Sequence, residues 1–281
     1  MQDTTGYETF SFYYDALTEN VNYPARAAYF HTLIQENLHA KGNVLLDLAC
    51  GTGTMAEEMA KLGYDVIGVD YSCGMLSQAM DKKMEHGLTK RGYDVIGVDY
   101  SDSMLNQALE KKLEKGLSIQ YVMQDMRELD LYGTVDVTIC TLDSLNHLPD
   151  FQDVCRVFQK VSEVTEPGGL FLFDMNTLYK HQVLLGDQVY LYETEDVYCV
   201  WENMLAEDGC TVEITLHLFQ QEPDGRYVRQ EEHLTERAYA PEQVENALKE
   251  AGFHVIGIYH ADTTGPLKQD SQRMVVAARK E

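Results

Sequence analysis

Positive charge is scarce in this chain: 22 lysines and arginines stand against 46 aspartates and glutamates, a formal net charge of −24. A surface that negative repels phosphate backbones and anionic lipid headgroups, so nucleic acid and membrane surfaces are poor partners. Long apolar runs are missing. Nothing approaches the ~20 consecutive apolar residues of a membrane-spanning helix, and residues 1–10 lack the apolar core of a secretion signal. Cysteine is present but unpatterned. Cys50, Cys73, Cys140, Cys155, Cys199 and Cys210 are widely spaced, with no CxxC and no Cys/His pattern suited to a metal. Several lie inside apolar runs, as buried thiols do. These absences point to a cytoplasmic, reducing setting with neither disulfides nor a metal centre. No linker or low-complexity tract divides the chain, which predicts one domain over residues 1–281.

What is present is an alternation of strand and helix. Continuous apolar stretches at 43–48, 65–69, 119–123, 135–140 and 170–173 read as buried strands. Between them lie helical patterns, including one opened by Pro24 and stopped at Gly42 and another over 151–164. Pro167-Gly168-Gly169 reads as the turn before the fifth strand. Such alternation predicts an α/β fold, a doubly wound, Rossmann-like, mostly parallel sheet covered on both faces. Residues 188–236 change character: 211–218 alternates strictly, and Asp208-Gly209 and Pro223-Asp224-Gly225 are hairpin turns. This predicts a small antiparallel β insertion of three or four strands. The α/β pattern resumes with a helix at 241–251 and strands at 255–258 and 274–278. The core is then 43–187 and 237–281, preceded by lid and helices over 1–42.

The chain also repeats itself. Gly63-Tyr64-Asp65-Val66-Ile67-Gly68-Val69-Asp70-Tyr71-Ser72 recurs unchanged 29 residues later, and 61–88 matches 90–117 at 20 of 28 positions. A strand–helix unit has been duplicated. A second unit inserted in a right-handed winding adds a strand between the second and third, leaving Asp70 beside the first strand and Asp99 one strand further out. In the opposite arrangement the second copy takes the seat and Asp99 replaces Asp70. That would expose Val66, Ile67 and Val69 at about 1.5–3 kcal/mol each, unless the extruded unit swaps between chains. Asp70 is therefore favoured, with Asp99 its alternative.

The turn Asp47-Leu48-Ala49-Cys50-Gly51-Thr52-Gly53 carries the strongest chemical signal. It joins a buried strand to a helix, where open α/β sheets bind ligands. Its glycines let the backbone come close to a ligand, and Asp47 can accept a bond from an ammonium group or orient the loop. Asp70, seventeen residues past Gly53 at the tip of the next strand, is placed to accept bonds from two ribose hydroxyls. On these residues the chain resembles the class I S-adenosylmethionine-dependent methyltransferases, of a small bacterial type with a Tyr-Asp near the N-terminus. The resemblance covers nearly the whole chain apart from the extra repeat.

That resemblance implies an antiparallel last strand and S-adenosylmethionine as methyl donor, released as S-adenosylhomocysteine. It implies cofactor contacts from Asp47, Ala49, Cys50, Gly51, Gly53, Asp70 and Tyr71, with Asp125 and Met126 at the adenine and Leu142 backing the cofactor. Tyr14, in the segment 12–17, would close over the site. His147 would serve as general base, or be structural. Asp143 and Asn146 are site residues or turn formers, and Trp201 and Tyr198 are pocket walls or packing aromatics. The expected reaction is direct in-line displacement onto a small-molecule acceptor, in which positioning supplies ~7–11 kcal/mol. The expected assembly is a monomer or homodimer. Two alternatives stand. The duplication has left a protein that binds the cofactor with impaired activity, or Gly51-x-Gly53-x-x-Ala56 is a loose dinucleotide loop of an NAD(P)-dependent oxidoreductase. Against the latter, Asp47 sits where a pyrophosphate loop keeps apolar residues.

Overall fold

The computed structural model describes residues 10–18, 20–85, 120–194, 197–222 and 224–281. Its chain begins with helices α1 (Phe10–Leu17) and α2 (Tyr23–Asn37). The strand–helix winding follows: β1 (Val44–Leu48), α3 (Thr54–Lys61), β2 (Asp65–Asp70), α4 (Cys73–Glu85), β3 (Gln120–Met123) and β4 (Val135–Cys140), then α5 (Phe151–Val164) and β5 (Thr165–Asn176). An antiparallel sheet interrupts it, built from β6 (Val189–Glu193), β7 (Val197–Leu205), β8 (Thr211–Gln221) and β9 (Tyr227–Arg237). Helix α6 (Pro241–Glu250) and strands β10 (Phe253–His260) and β11 (Arg273–Lys280) complete the core.

Among the described residues, seven strands form the main sheet in the order β10-β11-β5-β4-β1-β2-β3. Strands β1 to β5 pair in parallel, while β11 runs antiparallel to both β5 and β10. Because strand side chains alternate between faces, each apolar strand feeds two cores. Leu45, Leu170, Leu172, Val275 and Ala277 pack under α2 and α3 with Phe30, Ile34 and Met59. Their neighbours Leu46, Phe171, Phe173 and Val276 pack under α5 and α6 with Phe158, Val161 and Leu248. This is the doubly wound sheet and separate β insertion that the sequence pattern predicts, with the antiparallel last strand that the resemblance implies.

Helix α5 shows how local sequence sets an element. The Asp150 carboxylate accepts from the Asp153 amide at 2.9 Å and caps the first turn. Val154, Val157, Phe158 and Val161 then fall on one buried stripe. The insertion is half-wet in the same readable way: Val212, Ile214, Leu216 and Leu218 are buried with Leu17 of α1 on the face that Tyr13 and Tyr14 also touch.

Two expectations are corrected. Pro167-Gly168-Gly169 is not a turn before the strand but a bulge within β5, where pairing with β4 jumps from Val135↔Thr165 to Val137↔Leu170. Gly168, at φ +79°, makes the bulge possible. Among the described residues the second strand is followed directly in the sheet by the third: β2 pairs with β3, Asp70 opposite Met123. The first copy of the repeat sits beside β1. The second copy, and Asp99 with it, lies outside the described residues. No helix among the described residues is long and apolar enough to cross a membrane.

Phe158 meets Phe171 and Phe173 at centroid distances of 5.7 and 5.3 Å and is wholly buried. Phe158→Ala is expected to cost about 3–5 kcal/mol of stability, measured as a lower urea midpoint. A change below 1 kcal/mol would mean α5 does not anchor that face.

Candidate functional site

The loop after β1 turns on three left-handed residues, Ala49 (φ 58°), Gly51 (φ 54°) and Gly53 (φ 74°). A Cβ on Gly53 would fall 2.5 Å from the Tyr121 hydroxyl, so glycine is required there. A Cβ on Gly51 would meet nothing within 4 Å, and Gly51 lies on the wall of a large cavity. The loop is tied to β2. The Cys50 amide donates to the Val69 carbonyl at 2.9 Å, and the Gly51 amide donates to Asp70 Oδ2 at 2.8 Å. The other oxygen, Asp70 Oδ1, accepts from the Ser72 amide at 2.8 Å. Burial raises the Asp70 carboxyl above its ordinary range, against the pull of those amides.

Asp47 lies beneath the loop, 1% exposed. The start of α3 donates to it through the Ala56 amide, while its Oδ2 has no hydrogen-bond partner among the described residues. Burial first, and the nearby charge of Asp70 second, push its carboxyl up to about 8. Asp47, Cys50 and Gly53 do not line the cavity; they shape the loop from behind.

The cavity encloses about 680 Å³, a usual size for a small-molecule site. At one end stand Asp70, Tyr71, Asp125 and Met126. Asp125 also caps the short 3-10 turn Met126–Glu128, accepting from the Arg127 amide at 2.9 Å. Burial would raise its carboxyl, but the Arg127 bonds outweigh that and hold it low.

At the other end, β4 runs into Leu142 and Asp143, both left-handed at φ 59° and 55°. Their amides donate to the carboxylate of Asp174 at 3.0 and 2.9 Å. Asp174, fully buried, also holds Arg26 of α2 at 2.7 Å and Arg273 of β11. Arg273 reaches on to Asp143 Oδ2 at 2.8 Å, and Asn176 Nδ2 links Asp143 to Glu236 Oε2 of β9 at 2.5 and 2.7 Å. Burial opposes ionisation of Glu236, yet bonds and charge from His181, His147, Asn176 and Lys180 bring its carboxyl down to about 2. His147, on the 3-10 turn Ser144–His147, places Nε2 3.9 Å from Glu236 Oε1. The insertion completes this end with Tyr190, Tyr192, Trp201 and Leu234.

Helix α1 covers the cavity with Tyr14 and Leu17. It is latched to the glycine loop: Thr52 Oγ1 donates to Asp15 Oδ1 at 2.7 Å. Lys82 of α4 bridges Asp15, Thr52 and Thr54, donating to the two hydroxyls at 2.9 and 2.7 Å.

Of the residues singled out in sequence, Tyr14, Ala49, Gly51, Asp70, Tyr71, Asp125, Met126, Leu142 and His147 line one cavity. Asp143 and Trp201 join them, whereas Asn146 is buried and links Asn176 to the Arg237 carbonyl. Tyr198 is not on the wall and packs against Phe219. Lys180, Glu236, Arg273 and the Asp174 behind them were not foreseen. Asp174 had a legible signal, an acid at the end of a core strand like Asp47 and Asp70. Among the described residues no group of three or more His, Cys, Asp or Glu could hold a metal ion.

Comparison with known proteins matches residues 22–257 to a family model described as a methyltransferase domain. A Geobacillus sp. (strain WCH70) protein named "Putative methyltransferase" is 27% identical over 98% of this chain and 99% of its own length. A Bacillus subtilis (strain 168) protein of the same description is 27% identical over 98% of this chain and 97% of its own. The crystal structure of an S-adenosylmethionine-dependent methyltransferase from Clostridium acetobutylicum ATCC 824 superposes with a TM-score of 0.78 at 26% identity, covering 98% of both chains.

An aspartate whose carboxyl is raised on folding keeps a proton that the unfolded chain releases. Stability from Asp47 is therefore greatest below its unfolded value near 4 and is lost as pH climbs toward about 8. Asp47→Asn is expected to flatten this decline: between about pH 5 and pH 8 the variant should lose less Tm than the wild type. Equal losses would show that Asp47 ionises normally.

Proposed function

The chain belongs to the methyltransferase-domain family, and on that premise we propose that it moves the methyl group of S-adenosylmethionine onto a small molecule with a flat, largely apolar body. One observation carries the reading: a single cavity joins the Gly51–Asp70 end to an aromatic, charged end under the β insertion.

The residues at the first end suit a nucleoside joined to a cationic sulfur. Gly51 leaves room for close backbone approach. The Asp70 carboxylate accepts the amides of Gly51, Ser72 and Tyr71 and keeps further lone pairs for sugar hydroxyls. Met126 offers apolar surface for a base beside Asp125. Asp70, whose carboxyl burial makes reluctant to ionise, sits on the cavity wall, where positive charge favours its anion and a pyrophosphate would oppose it. No finding favours a nicotinamide cofactor. Bound there, S-adenosylmethionine supplies an activated methyl group and departs as S-adenosylhomocysteine.

The protein's own task is alignment and exclusion of water. Leu142, held by Asp174, backs the junction between the two ends. Tyr14 and Leu17 close it from α1, and Tyr190, Tyr192 and Trp201 offer flat walls to an acceptor. His147 stands at the acceptor end.

The sugar acid has one rival. The buried positions of the first repeat copy, Tyr64, Val66, Val69, Met75, Leu76 and Ala79, recur unchanged at 93, 95, 98, 104, 105 and 108. Support for Asp70 comes from the β1–β2 pairing and its bond to Gly51. Titration calorimetry with S-adenosylhomocysteine should give binding in the micromolar to low-millimolar range. Asp70→Ala should weaken it about tenfold or more, as for loss of hydrogen bonds worth ~1.4 kcal/mol or above. Asp99→Ala should leave it unchanged. Absence of binding to folded protein would end the proposal, and a larger effect of Asp99→Ala would move the sugar to the second copy.

A further inference from the structure

The cavity's acceptor end is built across a seam. His147 comes from the turn after β4, in the α/β core, and Glu236 from the last strand of the insertion. Both line the cavity. Glu236 is 5% exposed, yet its oxygens are engaged on two sides: Oε2 accepts from Asn176 and faces His181 Nε2 at 3.4 Å, while Oε1 faces His147 Nε2 at 3.9 Å. His181 has Nδ1 2.8 Å from the Cys210 carbonyl, which can only accept, so that nitrogen carries the hydrogen. Asn176 donates to this carboxylate at 2.7 Å and the charges of His147 and Lys180 lie near it, which favours the anion. An anion beside an imidazole favours the protonated ring.

Resting on the methyl-transfer reading above, we propose that Glu236 is a positioning residue for His147, that His147 is the proton acceptor of the reaction, and that the methylated atom is therefore one that carries a proton it must shed, as an O–H, N–H or S–H does. The step balances. The acceptor's lone pair forms the new bond to the methyl carbon as the carbon–sulfur bond breaks, its electron pair staying on the now neutral sulfur. The acceptor's proton passes to the His147 imidazole, and the resulting imidazolium faces Glu236. A tertiary amine or thioether acceptor has no proton to lose and would leave this pair without a task. The insertion is then more than a cover: it brings the charge that lets a histidine of the core act.

Other charged groups reach this pocket. Asp143 lies ahead of His147 on the same turn, where its charge and that of His147 interact. Lys180 donates to Asn176 Oδ1 at 2.9 Å and lies 4.0 Å from Asp143 Oδ2. Arg273 is paired with Asp143 and Asp174. Those cations already have carboxylate partners, and Glu236 places an oxygen 3.9 Å from the His147 ring.

The test is an NMR titration of the His147 ring, assigned by its loss in His147→Gln, in the wild type and in Glu236→Gln, with and without S-adenosylhomocysteine. Gln keeps an oxygen for Asn176. Its His147 midpoint should lie below the wild type's, the direction expected when an opposite charge is removed. An unmoved midpoint overturns the role of Glu236, and a wild-type ring still protonated above about pH 9 overturns proton acceptance by His147. Should Glu236→Gln not fold, Glu236→Asp carries the same test through a smaller drop, because it draws the charge back. The shift should appear in the free protein as well. Failure of S-adenosylhomocysteine to bind would thus sink the methyl-transfer reading on its own, and loss of the shift with binding intact would sink only the dyad.

Discussion

The buried carboxylate of Asp174, at the end of β5, is the point on which the His147 half of the cavity depends. It takes charge from α2 through Arg26 and from β11 through Arg273, and it accepts the amides of Leu142 and Asp143. An isolated charge in that position would cost several kcal/mol. Four donors from three parts of the chain offset the cost, and each is a charge-assisted or backbone hydrogen bond. In return, the loop after β4 is held in a left-handed pair of residues that neither leucine nor aspartate adopts readily. That loop leads into the turn that carries His147.

The Gly51–Asp70 half uses the same device with a different partner. Asp70 fixes the glycine loop by accepting the Gly51 amide, as Asp174 fixes the β4 loop by accepting two. Both acids stand at the carboxyl ends of core strands, where open α/β sheets place their ligands. Strand order sets them on either side of β1 and β4, so the cavity spans the centre of the sheet. The strongly negative chain concentrates part of its acid at this mouth. That fits a positively charged donor, and it disfavours phosphate-bearing ligands.

Much of the fold was legible because strand and helix periods were clean. Residues 135–140 and 151–164 read in sequence are β4 and α5 as observed, and the alternation at 211–218 lies within β8. Pro167-Gly168-Gly169 misled because a bulge and a turn share the same residues; only pairing with β4 tells them apart. One end of the cavity was legible since Gly51, Asp70 and Asp125 lie at the tips of consecutive strands, where local sequence declares its place. The end around His147 was hidden. Glu236 meets His147 across 89 residues of chain, through an insertion whose docking no local pattern encodes. Asp47 illustrates a subtler limit: sequence put it in the right loop but could not say that its carboxylate turns inward under α3.

The central claim is that one cavity seats a sulfonium nucleoside at Gly51 and Asp70 with its reactive end toward His147. A crystal structure of the full chain with S-adenosylhomocysteine tests it most directly. The account predicts ribose hydroxyls on the Asp70 carboxylate, the base beside Met126, and the sulfur facing the space between Tyr14 and His147. A ligand seated elsewhere, or a sugar held by Asp99 with Asp70 turned away, would contradict it.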